Sequence, residues 1–309
     1  MKKTGRTGKG RLKTMRVLNF GSLNLDYVYT VSHFVKPGET LSCTSRTVKP
    51  GGKGLNQSVA LARAGADTAH AGCLGKGGES LREVLKKNGV DVSALIPVEE
   101  MQGHTVIQVN PDGENSIILC GGSNQCITEK QISTTLEAFS PGDWLVLQNE
   151  INMLPEIVEQ AYRRGMRIVL NPSPCNEKLE KVDFQKLSWL LINEVEAEQI
   201  TGENDSEKTW KILHERYPHL SVLMTLGKKG SAAYAMTGNG VVSARCAAEK
   251  VRAVDTTAAG DTYTGFFLAG LMAGKPLEIC MKEATKASAI SVTRPGAADS
   301  IPWREEISL

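Results

Sequence analysis

The segment Val254-Asp255-Thr256-Thr257-Ala258-Ala259-Gly260-Asp261-Thr262 leaves a short strand-like stretch and runs directly into an apolar run, Tyr263 to Met272. The pattern is that of a loop feeding a helix. Small residues let the backbone curl tightly, so the N–H groups of Ala258, Ala259, Gly260 and Asp261 can converge at the positive end of the helix dipole, where an anion is stabilised. An aspartate inside such a site would repel the anion it is meant to hold. Beside a transferring phosphoryl group it has a use as a base, which makes Asp261 a candidate catalytic residue. An ordinary N-cap aspartate is the alternative.

Four other polar constellations carry chemistry. In Gly21-Ser22-Leu23-Asn24-Leu25-Asp26, Asn24 and Asp26 stand at i and i+2, so on an extended segment both side chains face one way and can hold two hydroxyls together. A turn in which they satisfy backbone groups is equally compatible. Pro50-Gly51-Gly52-Lys53-Gly54-Leu55-Asn56-Gln57 offers glycines for close approach to a ligand and an amide, Asn56, that can both donate and accept. Asn193 and Glu196 lie three apart at a helix start, where they can reach a hydrated Mg²⁺ or a phosphate oxygen, or simply form a capping box. Thr225-Leu226-Gly227-Lys228-Lys229-Gly230 is a tight turn that can admit a flat base, and an ordinary hairpin is as good a reading.

These residues need a scaffold, and the apolar runs supply one. Arg16 to Phe20, Thr68 to Gly72, Trp144 to Leu147, Ile168 to Leu170, Trp189 to Ile192 and Val222 to Thr225 are short continuous strands of the kind found in a sheet covered on both faces. Ser231 to Ala235 adds a further β run. Helices are expected over Asn56 to Ala64, Glu79 to Asn88, Gly260 to Ala273 and Leu277 to Val292. The segments around 24–50 and 103–120 read instead as β-structure outside the main layer, the second a hairpin turning at Asn110-Pro111-Asp112-Gly113. A lid over a pocket follows. Glu150, just past a strand end, is a candidate for contact with substrate or lid. The expected fold is α/β, a three-layer sandwich with a mostly parallel central sheet and a small β lid, built from residues 15–309.

Composition narrows the function. The seven cysteines show no Cys-x-x-Cys pair, and the five histidines have no ligand spacing, so zinc sites, disulfide frameworks and Ser-His-Asp hydrolysis find no support. None of the five Gly-Lys pairs precedes Ser or Thr, and there is no Gly-x-Gly-x-x-Gly, which removes the main signals of P-loop and dinucleotide-binding proteins. No apolar run approaches the ~18 residues of a membrane span; a cytoplasmic protein is expected. The net charge of +2 includes six positive charges within the first fourteen residues, and removing those six leaves −4. Residues 1–14 thus read as a disordered basic tail, without the interleaved aromatics of a nucleic-acid binder.

Taken in order, Gly21 to Asp26, Gly51 to Gln57, Asn193-x-x-Glu196, Thr225-Leu-Gly227 and Asp255-Thr-Thr-Ala-Ala-Gly-Asp261 resemble the ribokinase family of carbohydrate kinases. The likeness runs from about residue 16 to 305 and includes Thr293-Arg-Pro-Gly-Ala297 and Pro302-Trp-Arg-Glu-Glu306. It implies an ATP-dependent kinase for the primary hydroxyl of a pentose, D-ribose going to D-ribose 5-phosphate. Kinases of the same fold for deoxyribose, a nucleoside or a ketose are the alternative, and a non-catalytic sugar-sensing module a remote one. By the resemblance, Asn24, Asp26, Gly51, Gly52, Lys53 and Asn56 would bind the sugar with Glu150 assisting. Asp261 would take the hydroxyl proton while the N–H groups of Ala258, Ala259 and Gly260 hold the γ-phosphoryl oxygens. Asn193 and Glu196 would serve Mg²⁺ and the ATP phosphates, and Thr225, Gly227 and Gly230 the nucleotide. A K⁺ ion would sit among the Asp255 carboxylate, the carbonyls of Thr257, Ser291, Arg294 and Gly296, and the Ser300 hydroxyl. Leu55, Ser58, His104 and the short loop Gly75 to Glu79 depart from the family pattern and are expected close to the sugar. Pairing of lid edges in a homodimer is a further expectation.

Overall fold

In the computed structural model, which describes residues 15–308, strand β1 (Arg16–Phe20) is buried from Val17 onward because it runs through the interior of a nine-stranded sheet. The expected tail, 1–14, lies outside the described residues. After β1 the chain forms β2 (Asn24–Thr30) and β3 (Ser45–Gly51), then α1 (Lys53–Arg63), β4 (Asp67–Lys76), α2 (Glu79–Lys87), β5 (Asp91–Met101), β6 (His104–Val109) and β7 (Asn115–Cys120). It continues through α3 (Glu129–Glu137), β8 (Trp144–Gln148), α4 (Leu154–Arg163), β9 (Arg167–Asn171), β10 (Trp189–Asn193), α5 (Glu194–Thr201), α6 (Ser206–Arg216) and β11 (Ser221–Thr225). The last elements are β12 (Ser231–Thr237), β13 (Gly240–Cys246), α7 (Ala259–Met272) and α8 (Leu277–Val292).

The large sheet has the order β13-β12-β11-β10-β9-β8-β1-β4-β5. Every pairing from β11 to β5 is parallel, and only the β11–β12 and β12–β13 pairings at one edge are antiparallel. Alternation along each strand feeds two cores. Val17, Val146, Val169, Leu191 and Leu223 point toward α1, α2, α7 and α8; Leu18, Leu147, Leu170, Ile192 and Met224 point toward α3, α4, α5 and α6. That makes a three-layer sandwich. The chain leaves β1 in one direction to β4 and β5 and returns to β8 on the other side, so the strand order reverses between β1 and β8, and the crevice beyond their carboxyl ends is where such sheets bind ligands.

The second sheet has the order β3-β2-β6-β7, with β2 and β6 parallel and the other pairs antiparallel. The expected hairpin turn is present: Gly113 has φ 80°, and its N–H donates to the Asn110 carbonyl at 3.1 Å. One helix start and two strands depart most from the sequence reading. Helix α1 begins at Lys53, three residues earlier than expected, because its free N–H groups find acceptors: Lys53 in the Glu150 carboxylate, Gly54 in the Ser22 hydroxyl and Leu55 in the Ser22 carbonyl. Strands β5 and β13 were not foreseen. Both lie at sheet edges, where exposed polar residues interrupt the apolar pattern. Among the described residues no helix is long and apolar enough to cross a membrane.

Candidate active site

Asp261 lies in the first turn of α7 and is only 8% exposed. Its Oδ2 accepts from Nδ2 of Asn56 at 3.1 Å, and its Oδ1 from Nε2 of Gln57 at 2.9 Å, so two consecutive residues of α1 clamp both carboxylate oxygens. The other amide atom of Asn56, Oδ1, is buried with no partner in the protein. A buried acceptor left open beside a carboxylate calls for a donor from a ligand, such as a hydroxyl.

The turn before Asp261 is tightly curled. Ala258 takes the left-handed conformation, φ 59°, which an alanine adopts at a cost of about 1–3 kcal/mol. Of the four N–H groups expected to face an anion, that of Ala259 is already donated to the Thr256 carbonyl, at 3.2 Å. Among the described residues, those of Ala258, Gly260 and Asp261 have no protein acceptor. Gly260 faces open space. The cleft in front of this turn, about 240 Å³, is lined by Ala258, Gly260 and Asp261 on one side and by Lys53, Asn193, Glu196 and Thr225 on the other.

Lys53 stands among three carboxylates. Burial alone would lower its ammonium, but Asp261, Glu150 and Glu196 outweigh burial and hold it above the ordinary 10.5. Glu150 is raised above the usual carboxylate range by burial, against the lowering pull of Lys53 and of the Ser22 hydroxyl and Lys53 N–H that it accepts. Both donors fall on Oε2, so Glu150 closes the start of α1 and bridges the carboxyl end of β1 to that of β8.

The small sheet contributes Asn24 and Asp26. Asn24 is buried and accepts from Nδ2 of Asn124 at 2.7 Å; Asp26 accepts from the Thr105 hydroxyl at 2.6 Å. Burial raises Asp26, opposed by the Thr105 hydroxyl and Lys49. Gly51 is a glycine because a Cβ there would fall 1.9 Å from the Asp26 carboxylate, and Gly54 because a Cβ would fall 2.3 Å from the Ser22 nitrogen. Gly52, φ 92°, supplies the bend between β3 and α1.

His104 does not stand near that face, contrary to expectation. Asp26 pairs with Thr105 and Leu25 with His104, so the imidazole projects from the opposite face of the sheet, where it meets the edge of Tyr27 at 5.8 Å between ring centroids. Leu55 is buried in the core, and Ser58 is bonded to Asn19 and His70 beneath α1. None of these three departures lies among the residues that face Asp26.

Asn193 and Glu196 form the capping box that sequence left open: Oδ1 of Asn193 accepts from the Glu196 N–H at 2.9 Å, and Oε2 of Glu196 from the Asn193 N–H at 3.0 Å. Both also line the cleft. Thr225 lies there too, whereas Gly227 sits in an exposed turn and Gly230 packs on β13, where a Cβ would come 2.0 Å from the Cys246 carbonyl. Close packing therefore accounts for Gly230 without a ligand.

Behind the turn, Oδ1 of Asp255 accepts from the N–H and hydroxyl of Thr257, and Oδ2 from the Gly296 N–H at 2.9 Å. Burial raises this carboxyl, but these donors together with Lys49 bring it below the usual carboxylate range. Arg294 bonds back to the Ser291 carbonyl, and the buried Ser300 hydroxyl donates to Ala297. Gln57, Ser22, Thr105 and Asn124 were not singled out from sequence. Gln57, next to Asn56 at the end of a glycine-rich motif, was the most readable of them.

A family model described as pfkB family carbohydrate kinase matches residues 15–304. The chain is 36% identical to the ribokinase of Haemophilus influenzae over 95% of its own length and 97% of that protein, and 35% identical to the ribokinase of Staphylococcus aureus over 96% and 99%. Among solved structures it resembles the Cryptococcus neoformans ribokinase in complex with ADP, with a TM-score of 0.81 and 34% identity over 95% of this chain and 98% of that one. Arabidopsis thaliana ribokinase complexed with ribose and ATP gives a TM-score of 0.82 and 27% identity over 95% and 97%.

Proposed function

Because the chain belongs to the pfkB family of carbohydrate kinases, we propose that it transfers the γ-phosphoryl group of ATP to the primary hydroxyl of D-ribose, giving D-ribose 5-phosphate and ADP. The observation that carries this is the junction of α1 and α7. A buried carboxylate, Asp261, is clamped by Asn56 and Gln57 directly beside backbone N–H groups that have no protein acceptor. In the reaction Asp261 takes the proton of the hydroxyl as the oxygen attacks phosphorus. The N–H groups of Gly260 and Asp261 hold the oxygens on which charge collects. A loose transition state needs the hydroxyl deprotonated late, so a weak base suffices when positioning is good. Lys53, a cation beside Asp261 and Glu196, neutralises phosphate charge within the cleft. Asn24, Asp26 and the open Oδ1 of Asn56 select a polyol by pairing with its hydroxyls, and the small sheet acts as the lid that excludes water.

Mg²⁺ fits the Glu196 end of the cleft as an ion carried by the nucleotide: among the described residues no three His, Cys, Asp or Glu side chains converge as a metal cluster, and Mg²⁺ commonly needs one or two carboxylates plus phosphates. K⁺ fits the oxygens around Asp255, a single carboxylate with neighbouring carbonyls. When bound, such a cation would add positive charge behind the anion-binding turn. A homodimer would form through the outer face of the small sheet, where Val48 and Ile118 are exposed beside Tyr27 and Val106. The deciding experiment is a coupled ADP-release assay over ribose, deoxyribose, ribonucleosides and ketoses, with and without K⁺. Ribose should give the highest kcat/KM, and K⁺ should raise it; turnover of another class with none on ribose would refute the substrate.

A further inference from the structure

Three neighbouring strands carry a polar side chain on the face that α1 covers: His70 on β4, Asn19 on β1 and Gln148 on β8. All three are fully buried, and Asn19 and His70 are register partners. Buried polar groups in such a layer cost stability unless they are bonded; these are bonded to one another through α1, with Oε1 of Gln148 alone of its amide atoms left without a partner. Nε2 of Gln148 donates to Oδ1 of Asn19 at 2.9 Å and to Oε1 of Gln57 at 2.7 Å. Nδ2 of Asn19 donates to the Gly54 carbonyl at 2.8 Å and to Ser58 Oγ at 2.9 Å. The Ser58 hydroxyl is thereby left to donate to Nδ1 of His70 at 2.7 Å, which a neutral imidazole can accept. Burial keeps that ring neutral by pushing its pKa down to about 3.

Each amide in the row has one workable orientation. Turning Gln148 over would set its oxygen against two acceptor oxygens. With its own oxygen committed to Gln148, Gln57 can only present Nε2 to Asp261. The packing reserves space for this: a Cβ on Gly21 would come 2.3 Å from Oε1 of Gln148.

The geometry points to Gln148, with Asn19 behind it, as a positioning residue for phosphoryl transfer that fixes the Gln57 amide so that it donates to the Asp261 carboxylate. This rests on Asp261 being the base. Near-isosteric methionine variants test it, with kcat, KM for ribose, the acidic limb of the kcat–pH profile and Tm measured for each. Gln57→Met should lower kcat about tenfold and move the acidic limb to higher pH, because a lost bond to a charged group no longer favours its ionised form. Gln148→Met should act in the same direction and less. In the Gln57→Met background, Gln148→Met should change neither quantity further, since it acts through Gln57. KM for ribose should stay within about threefold throughout.

If both variants lower only Tm, or if their effects on kcat add, the row is core packing and the inference is overturned. Asp261→Asn in the same series separates the two readings. Near-normal turnover by that variant removes the base, whereas loss of turnover there with wild-type kcat in the glutamine variants removes the positioning role alone. Should Gln148→Met not fold, Gln148→Glu, which can donate to at most one of the two acceptors, is read by the same limb and must shift it upward.

Discussion

Asp261→Asn separates the charge of the proposed base from its shape. The carboxylate accepts from Nδ2 of Asn56 at 3.1 Å and Nε2 of Gln57 at 2.9 Å. An asparagine offers one oxygen and one NH₂ to these two donors, so one contact becomes donor against donor, and turning the amide over only exchanges which. A buried donor left without an acceptor costs about 1–3 kcal/mol. Relief from burying a carboxylate works the other way, while Lys53 loses one of its three neighbouring charges. The net loss of stability should therefore stay within about 2 kcal/mol, a fall in Tm of roughly 8 °C or less for a chain of this size. The rate should fall much further, because a positioned base contributes about 10²–10⁴-fold. The assay is ADP release at saturating ribose and ATP, with Tm and ribose binding by calorimetry measured on the same preparation. Binding should change by no more than about threefold, since Asn56 can still meet a hydroxyl through its open oxygen. A variant that keeps more than about a tenth of the wild-type kcat with an unchanged Tm would falsify the base assignment.

Three further perturbations address other parts of the site. Gly51→Ala places a Cβ 1.9 Å from the Asp26 carboxylate, which must swing away, so KM for ribose should rise about tenfold with kcat preserved, at an overpacking cost of about 1–3 kcal/mol; an unaltered KM would remove Asp26 from the sugar site. Burial raises Glu150 above its ordinary 4.5 in the folded protein, so its contribution to stability is full below that value and is lost as pH rises through the folded pKa. Glu150→Gln keeps an acceptor for Lys53 N–H without that loss, and the Tm of wild type minus that of the variant should fall as pH rises above 4.5; a difference that grew with pH would contradict the raised carboxyl. Ile118, 63% exposed on the outer face of the small sheet, should be central to a dimer, and Ile118→Lys should give monomers in sedimentation where the parent gives dimers. A monomeric parent would dispose of the lid interface.

Most of the parallel sheet was legible because each of its interior strands is a short, mainly apolar run, and α8 was delimited at Leu277–Val292 by Pro276 before it and Thr293-Arg294-Pro295 after it. The edge strands β5 and β13 were not, since one face of each meets solvent and the apolar signal is diluted. The early start of α1 was hidden for a different reason. Helix propensity argues against Gly54 in the first turn, and the acceptors that make the turn possible come from Ser22 and Glu150, which are remote in sequence. Spacing could say that Asn193 and Glu196 share a helix start but not which way their groups turn, and the structure shows them capped on each other while still lining the cleft. His104 shows the limit of proximity along the chain: it is the immediate neighbour of Thr105, yet the pleat sends it to the other side of the sheet from Asp26.

The glycines of Pro50 to Gln57 offer close approach to a ligand, but the surroundings of Gly51 and Gly54, like those of Gly21, support a different cause. Gly54 lets the start of α1 lie on the backbone of Gly21 and Ser22, Gly21 makes space for the Gln148 amide, and Gly51 makes space for Asp26. Each close approach is between parts of the protein. The consequence for function is nevertheless direct. Only with α1 pressed against the end of β1 can Lys53 reach the cleft while Asn56 and Gln57, one turn on, meet the Asp261 carboxylate from α7. A Cβ at Gly54 would lift that helix away from Ser22, and the clamp on Asp261 would open with it. The proposed sugar pocket is thus shaped by small residues packed against the protein itself, and a glycine-rich motif can specify a site by bringing its walls together.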